Sequence, residues 1–182
     1  DGSWSCKTID NTNTLGDMGW YSSIAIDSNN KIHISHQNNT GASLRYCNNT
    51  ASTGAWSCTL LDPTGGASFI TGYDSSIAID SNNKVHISER EISNHRLKYC
   101  NNTASTGAWS CTTVDSTGSV GQYSSIEVDS NNEIHISEYD ITNGDLRYAT
   151  FIPDVTISSP SQNNTNSSLN SLDINYTASD NV

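Results

Sequence analysis

The sequence predicts an all-β fold built from repeats of about fifty residues. The segment LRYCNNTASTGAWSCTLLD at 44–62 returns almost unchanged as LKYCNNTASTGAWSCTTVD at 97–115. A second motif, SSIAIDSNNKIHIS at 22–35, returns with few changes at 75–88 and 124–137. Apolar and polar residues alternate in both motifs, which is the period of a β-strand, and no segment shows the 3.6-residue period of an amphipathic helix. Each repeat is therefore expected to consist of strands joined by short polar turns.

The second motif predicts a pair of strands around a tight turn. Ile24 and Ile26 share one face of the first strand, and Ile32 and Ile34 alternate with His33 in the second strand. The Asp-Ser-Asn-Asn between them favours a turn, because Asn and Asp tolerate left-handed backbone and bond to their own main chain. A loop that differs among the repeats follows the second strand.

The first motif predicts a β-hairpin that a disulfide closes. A bond between Cys47 and Cys58 places Leu44 opposite Leu61 and leaves a polar Gly-containing loop between the strands. The bond closes a loop of about a dozen residues and is expected to contribute about 3 kcal/mol. A pair of free buried thiols is the alternative. The second copy predicts the corresponding pairs, Cys100 with Cys111 and Leu97 with Val114.

Four strand-like segments in each period are typical of a β-propeller blade. The predicted blades cover residues 21–62, 73–115 and 123–150, and the last of these has only three strands. Residues 2–10 read as an isolated outer strand, in which Cys6 stands at the position of Cys58 but has no third strand to pair with. Cys6 is therefore predicted to be an unpaired or inter-chain thiol. Because propellers usually have four or more blades, we expect the chain to be part of a longer polypeptide or of an assembly that shares strands.

Two resemblances to known families follow from these motifs. The hairpin, with Gly54 and Trp56, resembles the Asp-box hairpin of sialidase-type propellers, although the Asp of that motif is absent here. As a whole, residues 1–150 resemble the propeller repeats of large secreted and cell-surface proteins of archaea and bacteria. Residues 151–182, with DVTISSP and YTASDN, resemble a linker and the opening strands of an immunoglobulin-like domain. The resemblances imply a fold, and they imply no ligand.

Composition narrows the classes of partner. The net charge of −11 argues against binding to nucleic acid or to an anionic membrane surface. No apolar run is long enough to span a membrane, so no membrane insertion is expected. Paired cysteines at hairpin spacing favour an oxidising, extracellular or cell-surface location. Candidate N-glycosylation sites are Asn38, Asn48, Asn101, Asn163, Asn166 and Asn175, with Asn48 and Asn101 best placed beside the hairpin loop.

Two sets of repeated side chains raise a metal hypothesis. His33, His86 and His135 share one position, but they alternate with isoleucines inside a strand, so we expect them to form packing hydrogen bonds. The turn aspartates are the candidate calcium ligands: Asp27, Asp80 and Asp129. One carboxylate in each turn is few for an ion that takes six or more oxygens, and the turn already explains these residues. We therefore assign no metal site and no cofactor, with Ca²⁺ as the alternative.

Catalysis is not expected. A sialidase-like hydrolase needs clustered arginines, whereas Arg45 and Arg147 occupy a repeat position that Lys98 shares, which indicates a surface-strand role. The variable loops after the second strand are the candidate ligand site, although loops also vary freely when they bind nothing. The residues concerned are Arg90, Glu91, His95, Tyr139 and Asp140.

The sequence therefore predicts a non-catalytic extracellular repeat module of a cell-surface, adhesion, filament or envelope protein. Its expected partners are other copies or other segments of the same surface protein, and glycans. A lectin-like or sialidase-like, glycan-processing propeller is the alternative.

Overall fold

The computed structural model describes residues 2–11, 16–49, 54–61, 70–102 and 107–151. These residues form eleven β-strands and no helix, so the all-β prediction is confirmed. No described segment forms a helix that is long and apolar enough to cross a membrane.

The chain divides into two units, residues 1–150 and residues 151–182. The structure describes only Phe151 of the second unit. The predicted immunoglobulin-like strands therefore lie outside the described residues.

The first sheet contains four antiparallel strands in sequence order. They are β1 (Met18–Ile26), β2 (Ile32–Asn38), β3 (Ser43–Asn49) and β4 (Trp56–Leu60). Each strand pairs with the one that precedes it in the chain, as the alternating pattern and the short turns predict.

The second sheet repeats this arrangement. Its strands are β5 (Tyr73–Ile79), β6 (Val85–Glu91), β7 (Arg96–Asn102) and β8 (Trp109–Asp115), again in the order of the chain. The predicted repeat therefore corresponds to one four-stranded sheet.

The third sheet has three strands, as predicted. They are β9 (Gln122–Val128), β10 (Ile134–Asp140) and β11 (Asp145–Phe151), with β10 in the middle. Among the described residues, β11 has no strand on its outer side.

Both predicted disulfides are present. Cys47 bonds to Cys58 and Cys100 to Cys111, and each pair stands directly opposite in its hairpin. The Cα atoms of each pair are 4.1 Å apart, which is near the separation of a non-hydrogen-bonded pair in an antiparallel ladder. Cys6 is a free, exposed cysteine.

Successive sheets pack face to face and form the core. The face of the first sheet that carries Leu44 and Tyr46 is its front face. It contacts the face of the second sheet that carries Ile77, Val85 and Ile87, which is the back face of that sheet. The front face of the second sheet meets the back face of the third in the same way, since Leu97 and the equivalent isoleucines are buried there as well.

Serine hydroxyls hold the first strands of successive sheets side by side. The hydroxyl of Ser75 donates to the carbonyl of Tyr21 at 2.8 Å, and Ser124 makes the same bond to Asp74 at 3.0 Å. The two junctions are built alike because the motif SSI recurs in each repeat.

Two details differ from the sequence predictions. Leu97 stands opposite Asp115 rather than Val114, because the ladder shifts by one residue between Leu97 and Lys98. Val114 is 40% exposed, whereas its equivalent in the first sheet, Leu61, is buried. Residues 2–10 form no strand, because no third strand lies beside them in the part of the chain that the structure describes.

Candidate functional site

The repeated histidine belongs to a buried chain of polar side chains in each sheet. In the first sheet, Nδ1 of His33 lies 2.6 Å from the hydroxyl of Tyr46, and Nε2 lies 3.4 Å from Oδ2 of Asp27. Nδ2 of Asn48 donates to the same hydroxyl at 3.0 Å. His33 and Tyr46 are diagonal neighbours across β2 and β3, which brings side chains of this length together.

Burial sets the protonation of this chain. The pKa of His33 is lowered because burial disfavours the charged ring, which outweighs the attraction of Asp27. Burial alone would raise the pKa of Asp27, but hydrogen bonds from the amides of Lys31 and Asn29 and from His33 hold it below its ordinary value. Because an ionised carboxylate only accepts, the contact with Asp27 favours the neutral tautomer that carries its proton on Nε2, in which Nδ1 accepts from Tyr46.

The other two sheets repeat this contact. Nδ1 of His86 and Nδ1 of His135 also lie 2.6 Å from a tyrosine hydroxyl, that of Tyr99 and that of Tyr148. The histidines therefore lie in three separate sheets, each with its own tyrosine and aspartate. The structure shows the packing hydrogen bonds expected of them, and the three rings form no shared ligand set.

The turn aspartates are engaged by their own turns. Oδ1 of Asp27 accepts from the amides of Asn29 and Lys31 at 2.9 and 2.7 Å, and Asp80 makes the equivalent pair of bonds. Asn30 and its equivalents close the turn with a positive φ, as the sequence indicates. Calcium stays an untested alternative at these turns.

Two groups of metal-ligating residue types lie close together among the described residues. Asp10, His36 and Cys47 form the first group, in which the sulfur of Cys47 is part of a disulfide and so offers no thiolate. The second group is Asp129, Glu133 and His135 at the turn of the third sheet. The amides of Asn131 and Glu133 already donate to Asp129.

Two aspartates, one at the end of residues 2–10 and one at the end of β8, each pair with an arginine in the third strand of the sheet that follows. Oδ1 and Oδ2 of Asp10 accept from Arg45, with the shorter contact at 2.8 Å, and Nε2 of His36 lies 3.2 Å from Oδ2. Asp115, at the end of β8, lies 2.8 Å from Nη1 of Arg147 in the third sheet. The surface-strand role predicted for Arg45 is wrong, because this pair buries its guanidinium.

Sequence reasoning missed these inter-sheet pairs. The signal was present, since an aspartate stands four residues after Cys6, Cys58 and Cys111, and a basic residue stands two before Cys47 and Cys100. Sequence alone did not show that the two columns meet.

The column of His36, Glu89 and Glu138 binds a glycine amide. Glu89 accepts from the N–H of Gly72, and Glu138 accepts from the N–H of Gly121. The pKa of Glu138 is raised, chiefly by burial, against the opposing hydrogen bond from Gly121. Burial works against ionisation of Asp115 as well, but hydrogen bonds from Thr117 and the charge of Arg147 lower its pKa. Glu89 and Glu138 therefore bind the segment that leads into the first strand of their own sheet, whereas Asp115 joins the second sheet to the third through Arg147.

The predicted ligand residues have different surroundings. Arg90 is buried, and its guanidinium donates to the carbonyl of Val120 at 3.2 Å and to Ser119 at 3.1 Å. Glu91 and Asp140 are also buried and accept hydrogen bonds within their own loops. His95 and Tyr139 are exposed. The structure therefore leaves these two as the residues of the set that face solvent.

Aromatic rings gather near the start of the first strands, and all of them except the half-buried Tyr73 are exposed. The rings of Tyr21 and Tyr73 are 4.8 Å apart, and Tyr123 stacks on Tyr139 at 6.4 Å. Burial, then the charges of Tyr73, Asp74 and Tyr123, raise the pKa of Tyr21. We call this surface the aromatic patch; its residues are Trp20, Tyr21, Tyr73, Tyr123 and Tyr139.

Three of the predicted glycosylation sites lie in the strands, and they stay predictions. Asn101 is 1% exposed, and its Nδ2 donates to the hydroxyl of Tyr99. Asn38 is buried as well, and Nδ2 of Asn48 is hydrogen-bonded to Tyr46. A glycan is bulky and requires a surface position, so its attachment to Asn38 or Asn101 would require the buried side chain to move out of the sheet. Asn163, Asn166 and Asn175 lie outside the described residues.

No protein-family model matches the chain, and a search of curated proteins finds no significant match. The described residues form three repeated antiparallel sheets, whose repeated polar side chains join strands and sheets.

Proposed function

We propose that this chain is a non-catalytic structural module of an extracellular or cell-surface protein, built from β-propeller-type blades. The observation that carries the proposal is the use of the repeated polar side chains. Asp–His–Tyr contacts recur within all three sheets, and Asp–Arg contacts join one sheet to the next. The side chains that could act in catalysis, the aspartates, histidines and arginines, instead hold strands and sheets together.

The packing of the sheets supports the assignment of blades. Each four-stranded sheet follows the order of the chain, and its front face covers the back face of the next sheet. The first strands of successive sheets lie next to each other, as innermost strands do around a propeller axis. Two disulfides are compatible with an extracellular setting.

The proposal is tested by locating the native protein. Antibodies raised against the purified chain are expected to label intact cells of the source, and the antigen is expected in the surface fraction. Labelling that appears only after permeabilisation, with all the cysteines reduced in the native material, would overturn the extracellular assignment. A set of chromogenic glycosides tests the absence of catalysis, and turnover above the buffer rate would contradict it.

The aromatic patch supports a second candidate, a glycan-binding function. Exposed tyrosine rings offer flat apolar faces with polar edges, and this combination suits the mixed surface of a sugar. Selective binding on a glycan array, lost in Tyr123→Ala and Tyr139→Ala, is the expected result for this candidate. Leu60→Ala, which removes an exposed apolar side chain of β4 outside the aromatic patch, is the matched control.

A further inference from the structure

Two apolar sheet faces are exposed in the described structure, one on the first sheet and one on the third. On the back face of the first sheet, Ile24 is 63% exposed, whereas its equivalent Ile77 is 6% exposed. On the front face of the third sheet, Leu146 is 83% exposed, whereas its equivalent Leu44 is fully buried. A neighbouring sheet covers the equivalent residues in the interior, and apolar surface of this kind is typical of an interaction site.

The two exposed faces are complementary because the internal junctions join the same surfaces. A leucine and a tyrosine of the third strand form the front face, and isoleucine or valine residues of the first two strands form the back face that covers it. The exposed front face presents Leu146 and Tyr148, and the exposed back face presents Ile24, Ile26 and Ile34. The back face of the first sheet in a second copy of the chain could therefore pack on the front face of the third sheet in the same way as the sheets pack inside one chain.

Residues 2–10 already lie where an outer strand of a preceding sheet would lie. Asp10 pairs with Arg45 as Asp115, at the end of β8, pairs with Arg147. Ile9 and Asp10 line a cavity of about 400 Å³ on the back face of the first sheet, together with Ile24 and Ile34. This segment matches the fourth strand of the second sheet in sequence, since CKTID at 6–10 corresponds to CTTVD at 111–115, and no described strand occupies the equivalent position beside β11.

We propose that a second copy of this chain docks head to tail on the first. The front face of the third sheet covers the back face of the next copy's first sheet, and residues 2–10 of that copy pair with β11 as its fourth strand. The register follows from the second sheet, where Cys100 stands opposite Cys111, so Ala149 stands opposite Cys6 of the next copy. Such a contact joins unlike surfaces, so repetition of it gives a closed ring or an open filament.

The head-to-tail contact deepens the proposed function, and its biological setting rests on that function. Separate experiments test the contact and the function, so that one can be wrong while the other holds. Antibody labelling of intact cells reports the location whether or not copies associate. The association of the purified chain is measured without reference to its location.

The register is tested with Ala149→Cys. Oxidised glutathione accepts two electrons and two protons as the thiols of Cys6 and the new cysteine form a disulfide. We expect a ladder of covalent oligomers on a non-reducing gel, which collapses on reduction, and a linked peptide pair that contains both positions. Thr150→Cys is the matched control, because its side chain points to the other face of the strand. Ala149→Cys with Cys6→Ser removes the partner thiol and should give no ladder.

Three outcomes of this experiment overturn the proposal. A link within a single chain would show that the chain closes on itself. An equal yield from Thr150→Cys would show random collision, and absence of any link would show that another segment covers β11, such as residues 152–182.

The faces are tested independently of cysteine with Leu146→Arg and Ile24→Arg. The wild-type chain is expected to associate as concentration rises in sedimentation velocity, and each variant alone is expected to stay monomeric. An equimolar mixture should form a dimer, because the first variant keeps its back face and the second keeps its front face. A wild-type chain that is monomeric at every concentration, or a variant that still dimerises alone, overturns the head-to-tail contact.

Discussion

The hydroxyl of Tyr46 lies 2.6 Å from Nδ1 of His33, and tyrosine and histidine make this contact in every sheet. In the first sheet the ring of Tyr46 also packs 4.9 Å from the ring of Trp109, in the second sheet. One side chain therefore joins two strands through its hydroxyl and two sheets through its ring.

Tyr46→Phe is predicted to lower the free energy of unfolding by about 1–3 kcal/mol, because it keeps the ring packing but leaves His33 and Asn48 without their hydroxyl partner. The matched control is Tyr148→Phe, in which the exposed equivalent loses a bond that water can replace. Urea unfolding of both variants checks the prediction. An equal effect in the two would mean that burial of the chain does not set the cost.

The buried histidine predicts acid sensitivity of the first sheet. Burial lowers the pKa of His33, so below the ordinary value of about 6.5 the unfolded chain takes up a proton that the native chain does not. This contribution is complete above about pH 6.5 and is lost as pH falls through the native pKa. The lowered pKa of Asp27 predicts a second loss of stability as pH falls below the ordinary aspartate value of 3.8.

Other groups titrate too, so the measurement is a comparison. The raised pKa of Glu138, caused first by burial, gives the opposite trend, since its contribution is lost as pH rises above about 4.5. Unfolding free energies of the wild type and of His33→Gln, measured between about pH 7 and about pH 5, should differ less as the solution becomes more acidic. A constant difference would contradict a neutral buried His33.

The alternation of residues and the two cysteine pairs were sufficient to predict most of the fold. Ile24 and Ile26 share a face as the period-2 pattern indicates, and Cys47 stands opposite Cys58 as the disulfide requires. Both features are local, because each depends on residues in one strand or one hairpin.

The features that sequence reasoning missed depend on neighbouring sheets. Leu97 stands opposite Asp115 because the ladder shifts by one residue at this point. The carboxylate of Asp115 contacts Arg147, which belongs to the third sheet. The burial of Arg90 likewise follows from the carbonyl of Val120, which belongs to the segment that leads into the next sheet. Arg147 and Val120 both belong to the repeat that follows, so the pattern of a single repeat could not indicate these contacts.

A close approach between backbones makes Gly72 irreplaceable. Its φ is +86°, and a Cβ there would lie 2.9 Å from the Cα of Leu44 in the preceding sheet. Gly72→Ala is therefore predicted to cost more than the roughly 1 kcal/mol of backbone strain alone, because the sheets must also separate. Gly54→Ala is the control, since it shares the positive φ but has no atom within 4 Å of the added Cβ. Thermal unfolding should rank Gly72→Ala well below Gly54→Ala, and the reverse order would show that the junction is loose.

The disulfides should stabilise their hairpins without being required for the fold. Each bond joins cysteines that are 11 residues apart in strands that ladder hydrogen bonds also hold. The variant Cys47→Ser with Cys58→Ser is predicted to lower the free energy of unfolding by about 2–4 kcal/mol and to keep its β-sheet circular dichroism. A reducing agent should destabilise the wild type by breaking both bonds, and it should destabilise this variant by breaking Cys100–Cys111 alone. The control is Cys6→Ser, which should leave the free energy of unfolding of the monomer unchanged, because this thiol is exposed and unpaired. Unfolding in urea with and without the reducing agent measures all three proteins. A wild type that is indifferent to reduction would contradict the stabilising role of both bonds.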